Sequence, residues 1–327
     1  FRAMLKKLTL LPLIITVLMM GGCIKEDLSK CDPGVTVQFG YTMHNYEGDL
    51  FGSEVRNVTI YVFGEDGTYL MSHTPEKYGE DNSTTISLKG GQEYTLIAWG
   101  GDMSAYTIGR RNADGSVSAG MKKGETALDD FAVALNEGAQ GSATPPSPLF
   151  YGKASVTPDP ADPVTVKVSL IKDTSVIRFI ITDVTEEGPA AALTAEGLYE
   201  IYCIGENTVL NSENNIADDS PRLRYNPSRR AAEGKVYEAD IDMMRLVQGD
   251  DTLTAVVRDN ETGVYYLNRN LVELLQEKPA YNTQAGLDKE DLFIIEMDIN
   301  RDYPGGDGIY VVIKINGWVI NPIEPGL

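Results

Sequence analysis

The feature that most limits what this chain can fold into is a two-residue alternation of apolar and polar side chains. Val35, Val37, Phe39, Tyr41 and Met43 alternate with Thr36, Gln38, Gly40 and Thr42. Successive side chains of an extended strand point to opposite faces, so the pattern predicts a half-buried strand. Residues 58–63 are β-branched and aromatic, and Glu65-Asp66-Gly67 turns the chain into a second run at 68–71, as in a hairpin. Strands are also expected at 84–88, 94–99, 131–135, 149–153 and 164–170, with Gly, Pro, Asn or Asp in most intervals. A second series follows at 175–182, 198–204, 235–241, 253–258, 264–267, 292–299 and 309–315. One helix is expected over 269–277, where Leu271, Leu274 and Leu275 form a stripe and Pro279 stops it. Regular short strands separated by turn residues predict an all-β fold of two β-sandwiches in tandem, 34–171 and 172–327, divided near Lys172. The polar stretch 207–233 reads as a long loop.

The N-terminus has a different logic. Lys6 and Lys7 precede a largely apolar run from Leu8 to Met20, then Gly21, Gly22 and Cys23, with Met4 as the expected start. Basic, apolar and small-residue regions in this order predict a secretory signal peptide over 1–22. The apolar run is too short for a bilayer core, which takes roughly 20 residues. The cleavage region is similar to a bacterial lipobox, with Met20 where Leu is more usual. Cys23 is therefore the expected lipidation site, on a tether of residues 23–33. Two or more acyl chains, at about 0.8 kcal/mol per buried CH2, give stable attachment without a transmembrane helix. Lys25, Glu26 and Asp27 resemble the export signal of surface-exposed lipoproteins; a merely polar tether is the other reading.

Charge and residue counts narrow the chemistry. The net charge of −20 becomes −23 once Arg2, Lys6 and Lys7 leave with the signal peptide. Such a surface repels nucleic acid, and no nucleic-acid partner is expected. Cys31 and Cys203 are too few for a disulfide framework and are read as either paired or free. His44 and His73, the only histidines, lie in polar stretches and are expected at the surface. No zinc-protease, nucleophile-elbow or phosphate-loop motif occurs, so no enzymatic role and no cofactor are expected. Asp298, Asn300 and Asp302 alternate like the opening of a calcium loop. Tyr303 and Ile309 stand where an EF-hand needs Gly and Glu, and a polar turn is the competing reading. Tyr199, Tyr202, Tyr265, Tyr266 and Tyr310 suit either a sugar platform or half-buried packing, with packing favoured.

Several segments together carry a family resemblance. Cys23, Glu26-Asp27-Leu28, Cys31 and residues 34–39 resemble the opening of fimbrillin-associated anchor lipoproteins, the basal subunits of type V pili. Residues 58–63 with Gly67, 94–100 and 313–318 are similar to later strands of the same family. The resemblance implies two transthyretin-like β-sandwiches and a structural role: holding a pilus to the outer membrane and ending its growth. It implies a stalk subunit as partner and a lipid-anchored, surface-exposed location in the outer membrane. In stalk subunits of this type, a protease removes the first strand after a basic residue and opens a groove. Here 44–54 holds no Lys or Arg, so the first strand is expected to stay. An anchor with a filled groove must donate a strand or bind by its surface. Trp318, Val319 and Ile320 are the candidate fibre contact; the alternative is that they complete the second sandwich. A surface lipoprotein binding glycan or another nutrient is the competing function.

Overall fold

A computed structural model describes residues 34–185, 198–300 and 310–320. Cys23, Lys25, Glu26, Asp27, Cys31, Asp302 and Tyr303 lie outside them. The all-β expectation holds: the described residues form four sheets with three short α-helices. The first sheet has seven strands in the order β3 (Tyr69–His73), β2 (Thr59–Phe63), β5 (Tyr94–Gly101), β9 (Leu149–Val156), β10 (Val164–Lys172), β1 (Gly34–Tyr41) and β4 (Ser83–Ser87). The alternation that predicts β1 is the alternation observed, with Val35, Val37, Phe39 and Tyr41 on the buried face. Within β5, Leu96 and Ala98 enter one core while Ile97 and Trp99 enter another. That explains why 94–99 reads as a nearly continuous apolar run.

After Lys172 the chain enters a six-stranded sheet ordered β15 (Arg229–Glu233), β16 (Val236–Met244), β11 (Thr174–Asp183), β19 (Leu292–Asn300), β20 (Tyr310–Ile315) and β21 (Trp318–Val319). A four-stranded sheet, β14 (Leu223–Tyr225), β12 (Tyr199–Gly205), β17 (Thr254–Asp259) and β18 (Tyr265–Asn270), shares a core with it. Helix α1 (Phe51–Glu54) follows β1, whereas α2 (Leu271–Gln276) and α3 (Gln284–Asp288) lie between β18 and β19. The Asn270 side chain caps α2 by accepting from Glu273 N at 2.8 Å, and the leucines of the expected stripe are buried. Pro279 follows, as expected.

The stretch 207–233, expected as one loop, holds three short strands instead. The first of them, β13 (Val209–Asn211), leaves the half of the chain in which it lies. It pairs with β8 (Phe131–Leu135), completing the sheet β13–β8–β6 (Tyr106–Arg111)–β7 (Val117–Ala119). Leu210 is opposite Val133 and is fully buried. One apolar cluster consequently runs from Phe63, Trp99 and Phe131 through Leu210 to Phe179, Phe293 and Ile315. This cluster draws on sequence from both sides of Lys172, whereas the second, with Phe39 and Val62, belongs to the first half alone.

Candidate functional site

The seat of β1 decides whether the first sheet has a vacancy. β1 is an interior strand. It runs parallel to β10, in register from Val35 opposite Val164 to Tyr41 opposite Leu170, and antiparallel to β4 over residues 34–38. Four side chains of one face are buried, each contributing about 1.5–3 kcal/mol by removal from water. Another strand enters between β10 and β4 only if β1 leaves.

The segment after β1 is fastened back onto it. Asp49 Oδ1 accepts from Tyr41 N and from Phe51 N, both at 2.9 Å, and Leu50 N donates to Tyr41 O at 2.9 Å. The Phe51 ring stacks on Phe39 at 5.4 Å, and Tyr78 meets both rings edge-on. His44, expected at the surface, is buried instead. Its ring packs on Tyr41 at 4.9 Å, Nδ1 accepts from Tyr46 N, and Nε2 donates to Tyr41 O at 3.1 Å. The reason is its place at the end of a buried aromatic strand, which a polar sequence neighbourhood does not reveal. Thus both ends of the 42–54 connection are packed against β1, and residues 44–54 carry no Lys or Arg.

At the other end of the chain, Asn316 and Gly317 take φ of 44° and 74°. Two successive positive φ values form the tight turn that suits the twist of a hairpin. The turn is held by Ile294 N, which donates to Asn316 Oδ1 at 2.7 Å, and by Asn316 Nδ2, which donates to Leu292 O at 3.0 Å. It reverses the chain into β21, with Val319 opposite Lys314 and Trp318 opposite Ile315. Ile320 is 3% exposed and its N–H donates to Ile313 O at 3.0 Å. Trp318 and Val319, at 49% and 59%, are two of the five large hydrophobic residues that stand exposed among the described ones. They form a small apolar edge pinned to the core by its neighbour.

The remaining candidates whose side chains are described are engaged in internal contacts. Asp298 pairs with Lys314 at 3.2 Å across β19 and β20, and Asn300 ends β19. Tyr199 and Tyr266 are buried and packed edge to face at 5.9 Å. Tyr202 and Tyr265 reach the outer face of their sheet, but Arg224 lies 3.7 Å above the Tyr202 ring and Arg258 is 5.7 Å from Tyr265. Both guanidiniums also bond Glu200, at 3.0 and 3.3 Å, and hold its carboxyl below the usual range. Cys203 is a free, buried thiol on β12, and burial pushes its pKa up, away from the reactive thiolate. No helix among the described residues is long and apolar enough to cross a membrane.

A family model of fimbrillin-A associated anchor proteins, Mfa1 and Mfa2, matches residues 28–323. The chain belongs to this fimbrial anchor family. The fimbrial anchor protein Mfa2 from Porphyromonas gingivalis has the same fold, with a TM-score of 0.72 at 20% identity over 90% of this chain and all of that one, 100%. A candidate polysaccharide-binding protein from Bacteroides thetaiotaomicron gives 0.72 at 23% identity, covering 89% of this chain and 98% of the other. A candidate adhesin from Bacteroides ovatus gives 0.72 at 20%, covering 89% and 96%. At such identities the structural likeness speaks for the fold alone. No curated protein sequence matches the chain. Sequence reasoning missed the parts that fasten the anchor's first strand, namely Asp49, Phe51 and His44. Asp49 directly before an apolar pair is the signal for a local cap, readable in hindsight from Asp49-Leu50-Phe51.

Proposed function

We propose that this member of the anchor family holds a fimbria to the bacterial outer membrane and ends its growth. Lipid on Cys23 is the membrane hold, with Lys25, Glu26 and Asp27 directing the protein to the outer surface. The observation that carries this reading is β1 in its own sheet, buried on one face and stapled at its exit by Asp49 and His44. A sheet so filled accepts no strand from a neighbour, so no further subunit adds at that position. The fibre contact in this reading is the Trp318–Val319 edge, extended by strand addition: main-chain hydrogen bonds give affinity and exposed side chains give specificity. Ile320 acts as the pin. A glycan-binding role is the weaker reading, because Tyr202 and Tyr265, the outward tyrosines of the suggested platform, carry their own guanidinium partners.

Two experiments test it. In Cys23→Ala cells, palmitate labelling of the protein should vanish and fimbriae should appear in the medium. Labelling that persists would contradict the lipid hold. In a pull-down of the fibre subunit, Trp318→Asp combined with Val319→Lys should weaken association by about 2 kcal/mol or more, roughly thirtyfold, as loss of a central aromatic anchor does. The variant should remain folded, since both side chains are exposed. Undiminished capture would place the fibre contact elsewhere.

A further inference from the structure

A cluster of buried polar groups lies between the two halves, and nothing in anchoring uses it. Asp173 links β10 to β11; its N–H donates to Leu149 O at 2.7 Å, and the residue is fully buried, at 0% exposure. Its Oδ1 accepts from Asn214 Nδ2 at 2.9 Å and lies 3.6 Å from Arg245 Nε. Arg245, however, aims its fork at Asp288 on α3, with Nε to Oδ1 at 2.9 Å and Nη2 to Oδ2 at 2.7 Å. Its Nη1 donates to the Asn214 carbonyl. One guanidinium therefore stands between two carboxyl groups, and Asp288 has the bidentate geometry.

Two side-chain atoms in this cluster are buried without a hydrogen-bond partner: Asp173 Oδ2 and Asn214 Oδ1. As carboxylate and amide oxygens both are acceptors, and neither can satisfy the other. A proton on Asp173 Oδ2 makes it a donor, and the matching acceptor belongs to the same Asn214 side chain that already donates to Asp173 Oδ1. A single proton thus resolves both orphans.

We propose that Asp173 is protonated in the folded protein and closes a two-bond acid–amide ring with Asn214, a bolt between the two halves that opens when Asp173 ionises. Asn214 lies just beyond β13, the strand that the second half lends to β8, so the bolt and the strand fasten the same connection. The groups facing Asp173 are Arg245, Asp288, Tyr151 from β9 and Tyr106 from β6. The Tyr151 hydroxyl is engaged with Ser212 O and the Tyr106 hydroxyl with Ser147 O. The nearby lysines are engaged too, Lys172 with Asp291 and Lys153 with Glu213. Among the described residues, no cation besides Arg245 pairs with Asp173.

The electrostatics agree in sign. Burial raises the Asp173 pKa from 3.8 to about 7, against smaller lowering by Arg245 and Asn214. A folded pKa above the unfolded one means that the stability contribution is complete below the unfolded value and is lost as pH rises through the folded one. Asp173→Asn keeps the ring as an amide pair and removes the titration. The folding constant of the wild type relative to Asp173→Asn should therefore drop about tenfold per pH unit in that window, roughly a hundredfold from pH 5 to pH 8.

The direct test is a carbon-13 carboxyl titration of the mature chain by NMR, with the Asp173 signal identified by its loss in Asp173→Asn. A midpoint near neutrality is expected; one in the ordinary range around 4 would overturn the proposal, as it would if a bound water satisfied an ionised Asp173. Should Asp173→Asn not fold, urea unfolding of the wild-type chain decides. Stability that falls between pH 5 and pH 8 supports the bolt, and stability that stays level or rises across that roughly thousandfold change in proton activity overturns it.

Discussion

Phe39→Asp should leave no stably folded protein at 25 °C. Phe39 is buried at the centre of β1, stacked on Phe51 and met edge-on by Tyr78. Removing such a ring costs about 3–5 kcal/mol through lost transfer energy and the cavity left behind. The new carboxylate, with no cation among the residues that pack on Phe39, adds several kcal/mol more, or stays protonated at nearly the same cost. Domains of ordinary stability have only about 5–15 kcal/mol in hand. Gln38→Glu, one residue away on the opposite face, should change stability by about 0.5 kcal/mol or less. Far-UV circular dichroism and urea unfolding of the two variants make the comparison. A folded Phe39→Asp protein would mean that β1 is not an integral strand, and the account of a filled sheet would fail with it.

Leu210→Asp should lower the stability of the whole protein by more than about 4 kcal/mol, not that of one half. Leu210 belongs to the second half by sequence, yet its side chain is buried in the cluster that also contains Trp99 and Phe131. We propose that the two halves divided near Lys172 unfold as one cooperative unit, because β13 pairs across the division and one apolar cluster draws on both halves, although the first half also holds a cluster of its own. In a Trp318→Phe background, Trp99 reports the first half by fluorescence while circular dichroism reports all strands. Coincident urea transitions in both the parent and Leu210→Asp are expected. Transitions that separate would show two independent domains.

The elements legible in the sequence are those whose pattern is set by their own burial. β1, β11 and β19 bury alternate residues, and their period-two runs locate each of them to within a residue or two. The stripe of Leu271, Leu274 and Leu275 gives α2 for the same reason. The unread elements owe their existence to partners far away in the chain. β13 is three residues long and becomes a strand by pairing with β8. β15, with the sequence Arg-Arg-Ala-Ala-Glu, is exposed and pairs, among the described residues, with β16 alone. β6 includes Gly109, where a side chain would collide with the Ser118 carbonyl of β7. Asp173 looks like any polar link between two strands; its burial comes from Arg245, Asn214 and Asp288, which the sequence keeps far from it.

Candidate residues divide in the same way. Trp318 and Val319 stand out in the sequence as apolar residues close to a Pro-rich end, and the fold leaves them exposed at a sheet edge. His44 holds the exit of β1 through contacts that no motif encodes, whereas Asp49 carries the local signal of Asp49-Leu50-Phe51. The tyrosines suggested as a platform are split by strand alternation, Tyr199 and Tyr266 inward and Tyr202 and Tyr265 outward.

The claim on which the account turns is that the first strand is never cut away in the assembled fimbria. Residues 31–56 contain no Lys or Arg before Arg56, so trypsin should release that stretch as one peptide from an intact chain. Mass spectrometry of trypsin-digested, purified, cell-attached fimbriae measures it directly. An uninterrupted peptide 31–56 from this protein is expected. A peptide that begins between His44 and Glu54 in those fimbriae would show that β1 had been released, and would contradict the filled sheet as the basis of anchoring.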